Sequence, residues 1–292
     1  IFFVTVSFIF ISLMVDSLIG LKAGNIFLLL TLFFPRFLGH SLFNALDIPF
    51  AIFILLAFTY FFYKSSRKDN ILNFSNSDLL KLSILFAFIL CVRGNGLVFI
   101  ASLFFYIIFF QIQKQDIGKY LIISSKLFIF TLIFSLMFSP KSWANPFLYL
   151  QGVYRAQFRN EWSGSTLTNG QFIMGQASTY NYLLVWLFFT IPIIYFLYIS
   201  IFLIRNKNIQ NFSYENFSLF FVIYVLTLHA IFRPISYNGI RHYLFIIPFL
   251  SLICSYGYKS LNSKKIQLLL LFSTIGYLAI TQYQFDQYKY SY

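Results

Sequence analysis

The chain is 292 residues long, 59% hydrophobic and 10% charged, with a mean hydropathy of +0.77. That composition excludes an ordinary water-soluble domain, and no segment of soluble-domain size stands apart from the apolar runs. A net charge of +13 would suggest nucleic acid in a soluble protein, but lysines at the ends of membrane helices account for it, so no nucleic acid is expected as a partner.

Apolar runs recur near residues 1–15, 23–38, 48–63, 79–92, 97–112, 121–139, 182–204, 217–232, 243–258 and 266–282. They predict an all-α, polytopic transmembrane helical bundle of about ten spans, one domain over residues 1–292. Several runs fall short of the ~20 residues of a straight span, so broken helices, or helices extended into polar turns, are expected. Ile1 already lies in an apolar run with no methionine before it, the pattern expected of a chain lacking its N-terminal helices and first outer loop. Cys91 and Cys254 sit inside apolar runs and offer neither a disulfide framework nor a CxxC metal site.

If the connections alternate sides, 16–22, 64–78, 113–120, 205–216 and 259–265 form one set, with thirteen basic residues in or next to it, eleven of them lysine. The other set holds eight, of which six are arginine: Arg36, Arg93, Arg155, Arg159, Arg233 and Arg241. The positive-inside rule assigns the lysine-rich set to the cytoplasm. Guanidinium groups make bidentate contacts with phosphate, which marks the arginine-rich outer face as the working face. His40, His229 and His242 lie at or near that face on the same topology.

One outer connection, 140–181, is far longer than the rest, which favours a lid, a binding loop or an interfacial helix. It carries Trp143, Arg155, Arg159, Glu161, Trp162 and Gln171, a mixture suited to a sugar or an anionic headgroup. The densest polar segment runs from Pro35 to Pro49 and places Arg36, His40, Asn44 and Asp47 between two apolar runs. Asp47 alone would read as a helix N-cap, with Pro49 in the first turn. Capping does not explain Arg36, His40 and Asn44 beside it, and ionisable groups gathered at a membrane surface point to a functional site.

The segment Pro35-Arg36-x-x-x-His40-x-x-x-Asn44-x-x-Asp47-x-Pro49 resembles a motif in the second outer loop of GT-C glycosyltransferases. The branch in question uses polyprenyl-phosphate donors and includes the protein mannosyltransferases and the aminoarabinose transferases of lipid A. Leu46 stands where that motif often has a lysine. Three further segments follow in the family's order: Arg93-Gly94-Asn95-Gly96; Tyr182 to Leu187 with Thr190-Ile191-Pro192; and Tyr237-Asn238-Gly239-Ile240-Arg241-His242-Tyr243-Leu244-Phe245 with Pro248.

The resemblance implies an inverting transfer of a sugar from a polyprenyl-phosphate donor to an envelope lipid, glycan or protein acceptor. The protein would sit in a bacterial inner membrane with its active site extracytoplasmic. Arg36, His40, Asn44, Arg93, Arg155, Arg159, Trp162, Arg241 and His242 are the expected phosphate- and substrate-binding residues. Asp47 is expected in a supporting role, as metal ligand or electrostatic partner, and Asp47 with His242 would hold a divalent metal if one takes part. The family's principal base belongs to a first outer loop that the chain lacks, so residues 1–292 alone are expected not to catalyse transfer. Asp16, the nearest upstream carboxylate, falls in a connection on the cytoplasmic side and is rejected as the base. A lipid-linked sugar flippase or transporter and an oligosaccharide polymerase or ligase remain the alternatives. Midspan charges and internal repeats, which transport favours, are not evident.

Overall fold

The computed structural model describes residues 2–68, 71–110, 117–158, 164–168, 171–174, 178–206, 211–236 and 239–284. Their helices, in chain order, begin with α1 (Phe2–Ile19), α2 (Leu21–Leu32), α3 (Pro35–Ser41), α4 (Asp47–Lys68), α5 (Asn76–Val92), α6 (Gly96–Phe110) and α7 (Ile117–Phe138). There follow α8 (Pro140–Ala144), α9 (Pro146–Phe158), an antiparallel hairpin of β1 (Ser165–Thr168) and β2 (Gln171–Met174), α10 (Tyr182–Thr190) and α11 (Ile193–Arg205). The chain closes with α12 (Tyr214–Phe232), α13 (Ile246–Lys259) and α14 (Lys264–Gln284).

The protein is overwhelmingly helical, as its composition predicts, and α1, α4, α7, α12 and α14 are each long and apolar enough to cross a membrane. The total reaches seven if α2 with α3, bent by 72°, and α10 with α11, bent by 108°, each count as one span. Ten spans are more than the helix lengths support. The remaining apolar runs form α5, α6 and α13, of only 17, 15 and 14 residues, below the ~20 that cross a bilayer unaided. The run 182–204 is no single helix either, because Pro192 caps α11 and α10 stops at Thr190. The described part of the connection 140–181 holds α8, α9 and the hairpin.

Much apolar surface on α1, α7 and α14 faces outward, including Leu13, Phe128 and Phe272. In water each Å² of it would cost about 25 cal/mol, a cost that lipid removes. Inside, α13 is buried almost along its whole length between α2, α11 and α12. Its polar atoms are matched: the Tyr195 hydroxyl donates to the Leu30 carbonyl (2.8 Å) and lies 3.1 Å from Ser251 Oγ. Phe50, Phe58, Phe99, Phe217, Phe221, Phe245 and Phe249 interlock edge to face or tilted around the upper half of α4.

Gly257 brings α13 against α11, for a Cβ there would collide with the Tyr198 carbonyl oxygen. Gly257→Ala is therefore expected to cost about 1–3 kcal/mol. The readout is the apparent Tm in detergent micelles, with Gly276→Ala, where nothing lies within 4 Å, as the control. An unchanged Tm for Gly257→Ala would mean that the two helices stand further apart than described.

Helix α4 sets the two ends of the molecule apart. Its 22 residues rise ~33 Å at 1.5 Å per residue, with Asp47 at one end and Lys64, Arg67 and Lys68 at the other. At the lysine end, Asp78 closes the turn into α5. It completes a capping box with Ser75 and accepts from Lys64 (3.0 Å) and Lys68 (2.7 Å). Burial opposes ionisation of Asp78, but hydrogen bonds from Lys68, Ser75 and Lys64 outweigh it and hold the carboxyl well below the usual carboxylate range. Lys64 and Lys68 thus lie at the opposite end of α4 from Arg93 and Arg241.

Asp16 lies in the last turn of α1, not in a connecting turn, and its carboxylate packs against Gly24 of α2. Helix α1 runs beside α4, with Phe3 stacked near Phe53 and Met14 sharing an apolar groove with Tyr60. The neighbourhood of Asp16 is therefore ~20 Å from Asp47 along α4 at 1.5 Å per residue. That separation agrees with its rejection as a base.

Candidate functional site

Four separate elements deliver side chains to the Asp47 end of α4. Pro35 starts α3, where its missing N–H is no loss and its fixed φ suits a first helical turn. This short helix carries Arg36 and His40. After it the chain turns on Asn44, whose Oδ1 accepts from the backbone N–H groups of Leu46 (3.1 Å) and Asp47 (2.9 Å). Asn44, not Asp47, therefore satisfies the open N–H groups at the start of α4. Asp47 is left free to face the site, as its reading as more than a cap requires.

Asn44 organises its neighbours as well. Its Nδ2 donates to Asp47 Oδ2 (2.7 Å) and lies 3.2 Å from His40 Nδ1. Because an amide nitrogen can only donate, His40 accepts at Nδ1. Both ends of the Asn44 amide are thereby used inside the cluster, which makes it a positioning group more than a direct substrate contact.

Asp47 is almost wholly buried and lies between two guanidinium groups. Arg93, at the C-terminus of α5, donates through its NH2 group to Oδ1, and Arg241 donates through Nε to Oδ2 (2.9 Å). Arg93 NH1 also lies 3.2 Å from His242 Nδ1, and that nitrogen is 3.9 Å from Asp47 Oδ1. The face of Phe50 lies 6.0 Å beneath the Arg93 guanidinium. Residues separated by 46 and 194 positions in the chain thus converge on one carboxylate.

Arg36 completes the cationic rim. Its guanidinium sits 5.5 Å from the centre of the Trp186 ring on α10 and within electrostatic reach of His40, as Asp47 and Arg241 also are. Gly239, at φ +64°, is what lets it through. A Cβ there would stand 2.8 Å from Arg36 NH1 and about 3.2 Å from the Trp186 ring. No carboxylate pairs with Arg36 among the described residues. Among the described residues, Arg93 and Arg241 hold the Asp47 carboxylate and Arg36 stands beside His40 as a third guanidinium, so positive groups outnumber carboxylates there.

Behind the rim lies a polar layer that sequence patterns did not reveal. His229, near the end of α12, contacts Ser178 Oγ (3.2 Å) through Nε2 and the Tyr243 hydroxyl (2.8 Å) through Nδ1, and Tyr182 stacks on its ring. Burial pushes the Tyr243 hydroxyl up to about 12 against the Ser236 hydrogen bond, with nearby Tyr182 adding to the rise. It is therefore a neutral donor at physiological pH. A histidine among the last residues of an apolar helix was the available signal, because such groups seldom lie in a span without a partner.

Of the remaining expected residues only Arg155 is described. Arg155 is exposed on α9, whose Val153 packs against Gly94, and no ion pair ties it to the cluster. Arg159, Glu161, Trp162, Tyr237 and Asn238 lie outside the described residues.

A metal at Asp47 and His242 fits this arrangement poorly. Both carboxylate oxygens already face guanidinium groups, and a divalent cation between two arginines would meet like charge. Among the described residues no three His, Cys, Asp or Glu side chains gather as a ligand set. The donor set is that of an anion site.

No family profile, curated protein or solved structure matches the chain.

Proposed function

We propose that the protein is a multi-pass membrane glycosyltransferase that moves a sugar from a polyprenyl-phosphate carrier to an envelope lipid, glycan or protein acceptor. The carrying observation is the surplus of guanidinium groups around Asp47, with Arg36 lacking a carboxylate partner among the described residues. The ordered motifs shared with the GT-C branch support the same reading, and the lysine bias at the far end of α4 favours an extracytoplasmic site in a bacterial inner membrane.

In the transfer, an acceptor oxygen or nitrogen bonds to the anomeric carbon as the bond to the phosphate oxygen breaks, and negative charge grows on the departing lipid phosphate. Fixed cations aimed at that charge stabilise the transition state more than the ground state. Arg36 would contact the phosphate directly, while Arg241 and Arg93 add field and are held in place by Asp47. His40 and His242 face the same space through ring nitrogens that can donate to a phosphate or a sugar hydroxyl. Asp47, with both oxygens engaged by arginines, is a weak proton acceptor and a strong electrostatic anchor. Its role is therefore to hold the arginines, and the acceptor's base is a separate group.

The test is to incubate the full-length protein in nanodiscs with undecaprenyl-phosphate-linked sugars and envelope extracts, and to follow release of undecaprenyl phosphate. Envelope glycans of cells with and without the gene are compared by mass spectrometry alongside. Release, together with a missing sugar in the deletion strain, is the expected result. No release and an unchanged glycan profile would overturn the proposal.

A further inference from the structure

We propose that His229 is a positioning residue for Arg241, holding the segment after α12 so that its guanidinium meets Asp47. That segment leaves α12 at Arg233, a non-glycine residue in the left-handed region (φ 45°), and carries Arg241 and His242 into the site. A left-handed non-glycine residue is mildly strained and persists only where its surroundings hold it.

Three ties behind the rim do the holding. Ser178 Oγ donates to the Pro234 carbonyl (2.8 Å), Tyr182 donates to the Gly239 carbonyl (3.2 Å), and the Tyr243 hydroxyl meets His229 Nδ1 (2.8 Å). His229 touches every one of them, through Ser178 by Nε2, through Tyr243 by Nδ1, and through Tyr182 by ring stacking at 5.8 Å.

The hydrogen positions follow from the partners. Ser178 spends its proton on Pro234, so its oxygen accepts from His229 Nε2–H. Nδ1 then carries the lone pair and accepts from Tyr243 O–H. The Tyr243 oxygen can then accept from Ser236 Oγ, 3.2 Å away. Tyr243 is only two residues from Arg241 on the same 3-10 turn, so releasing its hydroxyl loosens the Arg241 backbone.

The inference rests on the proposed phosphate site only for its functional consequence, and the experiment separates the two. Purified full-length protein in phosphatidylcholine nanodiscs is labelled with phenylglyoxal, and modification of each arginine is read by peptide mass spectrometry. Pairing with Asp47 protects Arg241. His229→Leu is expected to raise Arg241 labelling about fivefold, the effect of losing a hydrogen bond worth ~1 kcal/mol, with exposed Arg67 and Arg155 unchanged. His229→Asn, whose amide oxygen reaches the Nδ1 position, keeps the Tyr243 bond and is expected to stay near wild type. Tyr243→Phe, which removes one hydroxyl and little volume, shifts labelling in the same direction as His229→Leu and serves if that variant does not fold. Unchanged Arg241 labelling in folded His229→Leu or in Tyr243→Phe would overturn the inference, as would equal labelling of His229→Leu and His229→Asn.

Binding of undecaprenyl phosphate to the same nanodiscs is measured in parallel. His229→Leu is expected to weaken it about fivefold. No binding by the wild type would overturn the functional proposal, while the labelling pattern would still decide the role of His229.

Discussion

Asp47→Asn is expected to reduce sugar transfer by about two orders of magnitude or more, while leaving affinity for undecaprenyl phosphate intact or raised. The reason is that Asp47 is the only carboxylate among the described residues facing Arg93 and Arg241, and its oxygens accept from both. An asparagine of the same size offers one acceptor and turns its NH2 toward a guanidinium donor. Breaking a fully buried ion pair from one side costs about 3–5 kcal/mol. Arg93 and Arg241 keep 21% and 26% of their side chains exposed, so solvent reduces the loss of stability to about 2–3 kcal/mol. Freed of their anchor, the arginines still attract a phosphate but no longer stand where charge develops. The measurements are transfer rate, apparent Tm and undecaprenyl phosphate affinity on one preparation. A variant that turned over at the wild-type rate would remove Asp47 from the site.

Arg36→Gln is expected to do the opposite, weakening undecaprenyl phosphate binding about ten- to a hundredfold with little change in apparent Tm. A hydrogen bond to a charged group contributes about 1.5–3 kcal/mol. Arg36 has no carboxylate among the described residues to lose. Removing it forfeits the Trp186 contact, worth about 0.5–1 kcal/mol, but also relieves the burial of an unpaired charge. Equilibrium binding in nanodiscs at two ionic strengths checks the result. Unchanged affinity would move the phosphate site away from Trp186 and Gly239.

The local part of the site was legible in the sequence because its members are near neighbours in the chain. Asn44 lies in the turn between α3 and α4 and reaches His40 four residues back and Asp47 three residues on. The pattern left a capping role open for Asp47 beside the functional one, whereas Asn44 caps and Asp47 turns inward to the arginines. Spacing cannot choose between two capping side chains when one of them has a distant partner of opposite charge.

The number of spans is less legible for a related reason. Apolar runs were counted alike, but α13 is apolar because it is enclosed by other helices, and at 14 residues it is too short to cross alone. An apolar run reports the absence of water and does not distinguish lipid from protein as the neighbour. The bend of 108° at Pro192 was signalled by the proline, yet its size depends on how α10 packs beside α12 and how α11 packs beside α13.

Composition and periodicity by themselves determined the helical class and the apolar exterior, because each follows from the cost of placing single residues in water or lipid. Which arginines meet Asp47 was decided only by the tertiary structure. Asp47 meets Arg241 across 194 residues, and His229 holds Tyr243 through a hydrogen whose position depends on Ser178 and Pro234. Such contacts leave no periodic trace in the chain, since a buried charge or imidazole is stable only with its partner, and folding alone brings that partner near.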